Sequence, residues 1–485
     1  AIFVREETVM HDLRFWLREV ERLGNLKRVS GADPNLEIGI ITELNCRRKG
    51  PALLFDSIAG FPPGRRILTG TILDAPRLGL TLGHRGVGTS EELVARLEGK
   101  MTEYEHASAN FPPREVAKGP IFENQSFGDD INLLQFPAPK WHEHDGGNYI
   151  GTGCVVVTKD PDSGRVNVGC YRVMVQDEKS VTMQISSAHH GAINLKKYRD
   201  RNQPAPVAVS FGHHPIYLVI GGIGIPYRVS EYAYLGAMFG EPVPVVCGKV
   251  TGLPLPADSE FVIEGFCPPG RTRSEVPFVE FTGYYGSGEE QEPILEVKAV
   301  YFRNDPINLG APPGRPPHDY SYMYSLIRSV MVKESLVKDG LPDIRGVWFH
   351  EVSGVNFFAV VSIKQRFPGH ARQAAYMTPQ SQAAAGHLGR YVVVVDDDID
   401  PSNLADVIWA MGTRTNPERD IDLLRNTYSS TLDPVYPRGA RKFFGSRAVI
   451  DACRPYDWIE DFPRVAESSK TEKQKVIKKW QELFS

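Results

Sequence analysis

The middle third of the chain, from about residue 151 to residue 303, consists of short runs of valine and isoleucine separated by glycine, proline and polar residues. Short β-branched runs bounded by turn residues are typical of strands. On either side, apolar residues recur at the three- and four-residue spacing of helices, with short apolar runs between them. The 485 residues also exceed the roughly 250–300 at which one core stops growing. The sequence therefore predicts a multidomain α/β protein with a β-rich centre.

The changes of pattern suggest where the domains begin and end. Residues 308–317 are dense in proline and glycine, which cannot continue a helix or a sheet, and residues 320–336 then have helical spacing. A valine run at 391–395 predicts a buried parallel strand, and Ser402 is placed to cap the helix that follows. The predicted parts are an N-terminal α/β domain (1–115), a central β-rich domain (116–305), a linker with a connecting helix (306–340) and a C-terminal α/β domain (341–485).

The end of the chain has an amphipathic pattern. Apolar residues recur there at helical spacing among lysines. We expect a terminal helix that docks on its own or a neighbouring subunit, in preference to a helix lying on a membrane surface. The apolar residues are Val476, Ile477, Trp480, Leu483 and Phe484.

Charge and cysteine usage exclude several classes of protein. The formal net charge is −4 and no long basic stripe is present, so nucleic acid is not an expected partner. The six cysteines form no C-x-x-C pair and predict neither a disulfide framework nor a zinc knuckle. No apolar window approaches the ~18 residues of a membrane span, so a cytoplasmic protein without membrane contact is expected.

Two motifs point weakly to nucleotide binding. The segment GIGIPY at 222–227 lacks the last glycine of a dinucleotide fingerprint, which argues against a dehydrogenase. Asp396, Asp397 and Asp398 follow the valine run, where carboxylates can hold a ribose or a metal. Acidic residues also stabilise helix N-termini, and we favour this structural interpretation.

Three histidine clusters could bind a metal ion. Residues 142–145 (HEHD) are compact enough to chelate, and histidine pairs occur at 189–190 and 213–214. None has the spacing of a zinc signature, and the turn residues around 142–145 favour a solvated loop. A metal-dependent hydrolase is kept as an alternative function.

A third constellation combines one arginine with two carboxylates. Arg172 lies in a strand-like run, and Glu275 and Glu280 flank residues 276–279. Two carboxylates near an arginine can have separated pKa values, so that one stays ionised while the other holds a proton for acid/base chemistry. A carboxylate pair could equally serve a glycosidase, so these residues by themselves leave the reaction open.

Several motifs in one order resemble the UbiD family of decarboxylases. They are NVGCYR at 167–172, AHH at 188–190, VSE at 229–231 with GAM at 236–238, and EVPFVE at 275–280. The resemblance extends through most of the chain, including DGGNY at 145–149, GY at 283–284, DDDID at 396–400 and WAM at 409–411. It implies reversible, non-oxidative decarboxylation of an unsaturated or aromatic acid, on a fold whose central domain is split-barrel-like and binds a flavin.

The resemblance also implies the cofactors. In that family prenylated FMN is held through a manganese ion, and the matching ligands here are Asn167, His190 and Glu231. A potassium ion beside it would be held by backbone carbonyls of Val168 and residues 220–223, a glycine-rich segment that permits close approach. The other implied cofactor contacts are Cys170, Tyr171, Arg172, His189, Gly221, Gly222 and Ile223.

The family's catalytic Glu-Arg-Glu set falls on Glu275, Arg172 and Glu280. Loss of CO2 leaves two electrons on carbon, which a modified flavin can accept and a side chain cannot. The resemblance assigns Glu280 as the acid that protonates this carbon, with a raised pKa in a dry pocket. Arg172 would orient the substrate carboxylate and hold Glu275 ionised.

Departures from the cinnamate-type pattern bear on substrate. His189 replaces a glutamine, Ser186 and Phe281 replace other pocket residues, and alanines at 383–385 occupy the region of a phosphate-binding lysine. These differences favour the branch that acts on furan, pyrrole or other (hetero)aromatic acids. The family further implies a flavin prenyltransferase as the source of the cofactor and a homodimer or homohexamer. A non-catalytic flavin-binding protein is the remaining alternative.

Overall fold

The computed structural model describes residues 12–187, 189–286, 290–381, 389–429, 432–436 and 444–484. The N-terminal part contains α1 Leu13–Arg22, β1 Leu26–Ala32, α2 Glu37–Arg47, β2 Ala52–Ile58, β3 Arg66–Thr69, α3 Ala75–Thr81, α4 Ser90–Leu97 and α5 Lys100–Ala107. The middle contains β4 Arg114–Glu115, β5 Asn124–Phe127, β6 Tyr149–Gly151, β7 Val155–Lys159, β8 Val166–Gly169, β9 Arg172–Asp177, β10 Ser180–Gln184, α6 His190–Asp200, β11 Ala205–Phe211, α7 Ile216–Gly222, α8 Glu231–Phe239, β12 Pro244–Cys247, β13 Pro254–Pro256, β14 Phe261–Cys267, β15 Thr272–Glu275, β16 Glu290–Phe302 and β17 Ile307–Gly310. The C-terminal part contains α9 Asp319–Lys338, β18 Ile344–Phe349, β19 Phe358–Ile363, α10 His370–Met377, β20 Tyr391–Asp396, α11 Leu404–Arg414, α12 Pro417–Asp420, β21 Ile421–Tyr428, β22 Phe444–Asp451, α13 Lys470–Lys479 and α14 Gln481–Phe484.

The N-terminal sheet has the strand order β1-β2-β3-β17. Helix α1 begins at the N-cap Asp12, whose side chain accepts a hydrogen bond from the backbone of Arg14, and it buries Leu13 and Trp16 against the sheet layer. The prediction that residues 308–317 cannot continue a sheet is wrong for the first three of them, because β17 includes residues 308–310. It pairs in parallel with β3 and completes the N-terminal sheet after the chain has passed through the central domain.

The central sheet has the strand order β6-β9-β10-β16-β14-β11-β7-β8, with β5 and β15 also pairing with β16. It curls into a half-barrel, which confirms the predicted split-barrel-like α/β fold. Three stacked rings, Phe136, Phe211 and Phe261, fill part of one face. Helices α6, α7 and α8 all pack against β8, the strand that carries Asn167.

The C-terminal sheet has the strand order β18-β19-β20-β22-β21, with parallel pairing of β19 to β20 and of β20 to β22. The acidic turn after β20 is structural: Asp396 is buried and accepts hydrogen bonds from Arg454, and Asp398 accepts from Arg414 at 2.7 Å. The predicted cap Ser402 is wrong by one residue. Asn403 caps α11 because its side chain accepts from the backbone N–H groups of Ala405 and Asp406.

Helices α13 and α14 end the described chain. Their apolar residues, including Trp480 and Phe484, are exposed on the single chain. Docking of this helix on a neighbouring subunit therefore stays a prediction. Among the described helices, none is both long and apolar enough to cross a membrane.

Candidate active site

A cavity of about 190 Å³ opens between the end of the central sheet and the connecting helix α9. Its walls come from both sides of the curled sheet, from the turn after β15 and from the first turns of α9, so it forms only when distant segments meet. Five of its lining residues are Phe or Tyr, and one arginine and one glutamate are its charged groups. The lining residues are Thr152, Cys170, Tyr171, Arg172, Gln184, Ser186, His189, Phe278, Val279, Glu280, Phe281, Pro313, Tyr320, Tyr324 and Leu432.

Arg172 joins the two predicted catalytic glutamates. It is the first residue of β9, and its Nε donates to Glu275 Oε1 at 2.5 Å while Nη1 donates to Glu280 Oε1. Glu275 ends β15, and the backbone N–H of Glu280 donates to Tyr284 O at 2.8 Å in the turn that follows. The hydroxyl of Tyr149 lies 3.3 Å from Glu275 Oε1. The structure thus brings together the predicted set, with Glu280 at the cavity and Glu275 behind it.

Burial controls the protonation of this set. It raises the pKa of both Glu280 and Glu275 above the ordinary glutamate value, against the opposing effect of the Arg172 cation. For Arg172, burial favours deprotonation, but the adjacent Glu280 and Glu275 outweigh it and raise the pKa. A site with one guanidinium and two desolvated carboxyl groups is neutral when one carboxyl keeps its proton. The arrangement can therefore supply a proton donor beside a fixed cation.

The three residues predicted to bind metal lie around a second point, behind Tyr171. Asn167 on β8 donates from Nδ2 to the Tyr171 hydroxyl at 3.4 Å, and the same hydroxyl accepts from the backbone N–H of Gly191 in the first turn of α6. His190 and Glu231 are the first residues of α6 and α8. The start of α6 thus lies beside Asn167 through Tyr171, and α8 also packs against β8.

The donor set at this point suits a hard divalent cation. Glu231 is buried, and its Oε2 has no hydrogen-bond partner in the described part of the chain. Burial raises the pKa of Glu231 to about 7. Because a buried carboxylate oxygen without a partner is costly, a bound cation would satisfy it. Amide, imidazole and carboxylate ligands are the donors that Mn²⁺ accepts.

The glycine-rich segment packs tightly against Cys170, which lies between β8 and β9. The backbone N–H of Cys170 donates to Gly221 O at 3.1 Å, and a Cβ on Gly221 would lie 2.6 Å from Cys170 Sγ. Tyr324 donates to Gly222 O at 2.9 Å, and Ile223 ends α7 as its C-cap. The close approach explains why glycine is required at 221.

The predicted substrate residues lie at the cavity mouth. Ser186, His189 and Phe281 all line it. The His189 ring is exposed and meets the edge of Tyr171 at a centroid distance of 5.6 Å. An imidazole and a hydroxyl at the rim of an aromatic pocket can form hydrogen bonds with a ring substituent.

Sequence reasoning missed the contribution of α9. Tyr320 and Tyr324 line the cavity and stack with ring centroids 6.0 Å apart, and the guanidinium of Arg328 lies 4.7 Å from the Tyr324 ring. Tyr320 also donates to Thr152 O at 3.2 Å. The spacing of four residues between these side chains places them on one helix face. That repeat could have identified a stripe directed at a site.

The other histidine clusters do not converge on a metal site. Within the described ranges, no group of three His, Cys, Asp or Glu side chains is arranged to hold a metal ion. His142 belongs to a turn in which its backbone N–H donates to Asp145, and His213 is buried beside a separate cavity of about 10 Å³. The alanines at 383–385, and Ala188 of the AHH motif, lie outside the described residues.

Three family models match consecutive parts of the chain. They are the N-terminal, Rift-related and C-terminal domains of 3-octaprenyl-4-hydroxybenzoate carboxy-lyase, at residues 17–97, 114–316 and 321–452. Pyrrole-2-carboxylic acid decarboxylase of Pseudomonas aeruginosa is 32% identical over 423 residues, covering 84% of each chain. The chain belongs to the UbiD family. Phenolic acid decarboxylase of Escherichia coli O157:H7 is 30% identical over 92% of each chain.

Solved structures of UbiD-class enzymes have the same fold. Vanillic acid decarboxylase of Sedimentibacter hydroxybenzoicus in its open form superposes with a TM-score of 0.81 at 27% identity, covering 97% of this chain and 99% of that one. The UbiD-class enzyme HmfF of Pelotomaculum thermopropionicum, in complex with FMN, gives 0.83 at 26% identity, covering 95% and 98%. An evolved dimeric form of HmfF contains prFMN. These similarities confirm the predicted family and enzyme class, a UbiD-type carboxy-lyase, and support neither the hydrolase nor the non-catalytic alternative.

Proposed function

We propose that this UbiD-family protein catalyses reversible decarboxylation of an aromatic or heteroaromatic carboxylic acid with prenylated FMN, and that Glu280 is the proton donor. The observation that carries the proposal is the pairing of Arg172 with both Glu275 and Glu280 in the wall of an aromatic cavity. FMN and prFMN in the HmfF structures support the choice of cofactor.

Each residue has a distinct role in this proposal. When bound, prenylated FMN supplies an acceptor for the electron pair that remains on carbon after CO2 leaves. Nη2 of Arg172 takes part in neither of these glutamate contacts, and in this proposal it binds the substrate carboxylate. Glu280 delivers its proton to the carbon that lost CO2, and Glu275 stays ionised against Arg172. In the carboxylation direction Glu280 accepts the proton back.

We further propose that Asn167, His190 and Glu231 hold Mn²⁺ beside the cofactor phosphate, with K⁺ on nearby backbone carbonyls. The buried, unpartnered Oε2 of Glu231 supports the divalent site. The carbonyl of Gly221 already accepts from Cys170, and that of Gly222 from Tyr324. Each keeps a second lone pair for a cation.

The substrate class follows from the cavity walls. Phe278, Phe281 and Tyr324 offer flat apolar surfaces, which suit an aromatic ring. His189 and Ser186 at the rim suit a hydroxyl or a ring nitrogen on that substrate. The names of the relatives, which act on pyrrole-2-carboxylic, phenolic and vanillic acids, support the same choice.

The test is to coexpress the chain with a flavin prenyltransferase, record the absorption spectrum of the purified protein and measure CO2 release from pyrrole-2-carboxylate, vanillate and 3,4-dihydroxybenzoate. We expect a flavin chromophore and turnover of at least one acid. Glu280→Gln should keep the chromophore and lose about 10²–10⁴-fold in rate. Glu418→Gln, which removes an exposed carboxylate in helix α12, is the matched control. Turnover at the normal rate in Glu280→Gln would reject the assigned acid.

The metal proposal has its own test. Asn167→Ala and Glu231→Ala should lose bound manganese, measured by elemental analysis, together with the chromophore. If either variant kept its manganese and its chromophore in full, the metal proposal would be refuted. The homodimer or homohexamer, the supply of cofactor by a prenyltransferase, the cytoplasmic location and the domain boundaries stay predictions.

A further inference from the structure

Arg165 is a largely buried cation that the proposed mechanism does not use. It lies directly before β8, and its side chain is 15% exposed. One nitrogen, Nη2, donates to Val229 O at 3.0 Å and lies 3.5 Å from Glu231 Oε1. Its Nε is buried and has no partner in the described ranges. The Nε–H is therefore a buried donor without an acceptor, which costs free energy. An acceptor from outside the described chain would remove this cost.

The position of Arg165 is restricted by its contact with Tyr227. Its guanidinium lies 4.4 Å from the centroid of the Tyr227 ring, in cation–π contact. The Tyr227 hydroxyl donates to Asp160 Oδ2 at 3.0 Å, and the same carboxylate accepts from Lys197 at 2.7 Å. The hydrogen bond to Asp160 thus restricts the Tyr227 ring. The ring in turn restricts the position of the Arg165 guanidinium.

Two helices begin beside this arginine. His190 starts α6 and meets the Tyr227 ring at a centroid distance of 4.9 Å, while Glu231 starts α8 next to Arg165. The N-cap residues His189 and Ser230 make no side-chain capping bond. Apart from the N–H of Gly191, which donates to Tyr171, the first turns of both helices and their dipoles favour an anion at this point. Three independent sources of positive potential, Arg165 and the two helix starts, coincide.

The charges around the proposed metal site lead to the same conclusion. A divalent cation, the proposed K⁺ and Arg165 together carry four positive charges, and Glu231 supplies one negative charge. A phosphate monoester dianion would offset most of this excess positive charge. We propose that Arg165 binds the phosphate of the flavin cofactor through its guanidinium. This assignment rests on the proposed function and identifies the basic residue that serves the phosphate in a chain with alanines at 383–385.

The competing interpretation is that Arg165 only orients Glu231. The two roles predict different effects on the binding of riboflavin, a flavin without phosphate. A phosphate contact contributes to FMN binding and nothing to riboflavin binding. An orienting role would weaken the metal site itself, with or without flavin.

The experiment uses full-length protein expressed without prenyltransferase and saturated with Mn²⁺. Binding of FMN and of riboflavin is titrated by flavin fluorescence, and Mn²⁺ binding without flavin is followed by electron paramagnetic resonance. Arg165→Gln should raise the Kd for FMN about ten- to hundredfold and leave the Kd for riboflavin unchanged. Arg165→Lys keeps the charge, and its Kd for FMN should lie between the values for the wild type and for Arg165→Gln. Mn²⁺ binding should be no weaker than in the wild type.

Arg201→Gln is the matched control, because it removes an exposed arginine that pairs with Asp162 in the same turn before β8. Its FMN affinity should equal that of the wild type. Equal losses for FMN and riboflavin, or weaker Mn²⁺ binding in Arg165→Gln, would overturn the phosphate assignment. If Arg165→Gln does not fold, Arg165→Lys decides in the same way. Wild-type protein that binds neither flavin would instead reject the proposed function.

Discussion

Arg172 and Glu280 form an ion pair in the wall of the cavity, although 108 residues separate them in the chain. The same guanidinium also holds Glu275 on its other edge. Because one cation faces two desolvated carboxyl groups, the neutral arrangement keeps one proton on the pair. Glu280 lines the cavity and Glu275 does not, so Glu280 is the carboxyl that can transfer its proton to a substrate.

The first prediction concerns pH and stability. Burial raises the pKa of Glu280 in the folded protein. The contribution of this side chain to stability is therefore complete below the ordinary glutamate pKa of about 4.3 and is lost as pH rises through the folded value. Glu280→Gln removes this dependence. Thermal unfolding from pH 5 to pH 8 should show the variant becoming progressively more stable relative to the wild type. A difference that does not change with pH would contradict the raised pKa, and Glu418→Gln should show no such trend.

The second prediction concerns the geometry of the Arg172 fork. Lysine is a point charge and cannot donate to Glu275 and Glu280 from two fixed edges. Arg172→Lys should lower kcat/KM by about 10²-fold or more while the flavin spectrum is kept. Arg172→Gln removes the cation that faces both buried carboxyl groups and should cost about 3–5 kcal/mol in the free energy of unfolding. Steady-state kinetics and denaturant unfolding measure the two effects. A fully active lysine variant would show that charge alone suffices.

The third prediction concerns the contact between α7 and Cys170. A methyl group at residue 221 would lie 2.6 Å from Cys170 Sγ and 2.9 Å from Cys170 N, so the backbone must shift. Gly221→Ala should therefore lower the free energy of unfolding by about 1–3 kcal/mol and weaken FMN binding. Gly412→Ala is the control, because it lies in helix α11 with no atom within 4 Å of the added Cβ. It should stabilise the protein by about 0.5–1 kcal/mol. Unchanged FMN affinity in Gly221→Ala would separate this segment from the cofactor site.

The fourth prediction concerns the tyrosines of α9. Tyr324→Phe removes the hydroxyl that donates to Gly222 O and should cost about 1 kcal/mol of stability. Because Gly222 belongs to the segment proposed to contact the cofactor, FMN affinity should also fall several-fold. Tyr322→Phe loses a comparable hydrogen bond to Ser90, away from the cavity, and should keep FMN affinity. Equal affinities in the two variants would assign Tyr324 a purely structural role.

The sequence by itself determined the α/β class and the β-rich centre, because hydrophobic period and turn residues decide helix or strand within a short window. The Glu-Arg-Glu set was predicted from the resemblance, and its catalytic roles stay predictions. The ordered motifs then identified the family, and the comparisons confirmed it. The predicted metal and cofactor contacts stay predictions, although the structure brings Asn167, His190 and Glu231 to one region.

Only the tertiary structure decided which distant segments meet. Strand β17 joins the N-terminal sheet, and the face of α9 that carries Tyr320 and Tyr324 closes the cavity. The proposed role of Arg165 also depends on the tertiary structure, which places it beside Tyr227 and near the starts of α6 and α8 at His190 and Glu231. Strand pairing and burial depend on packing between segments far apart in the chain, and a local propensity contains no information about the partner. The fold therefore supplies what a window of sequence lacks, which is the neighbour of each side chain.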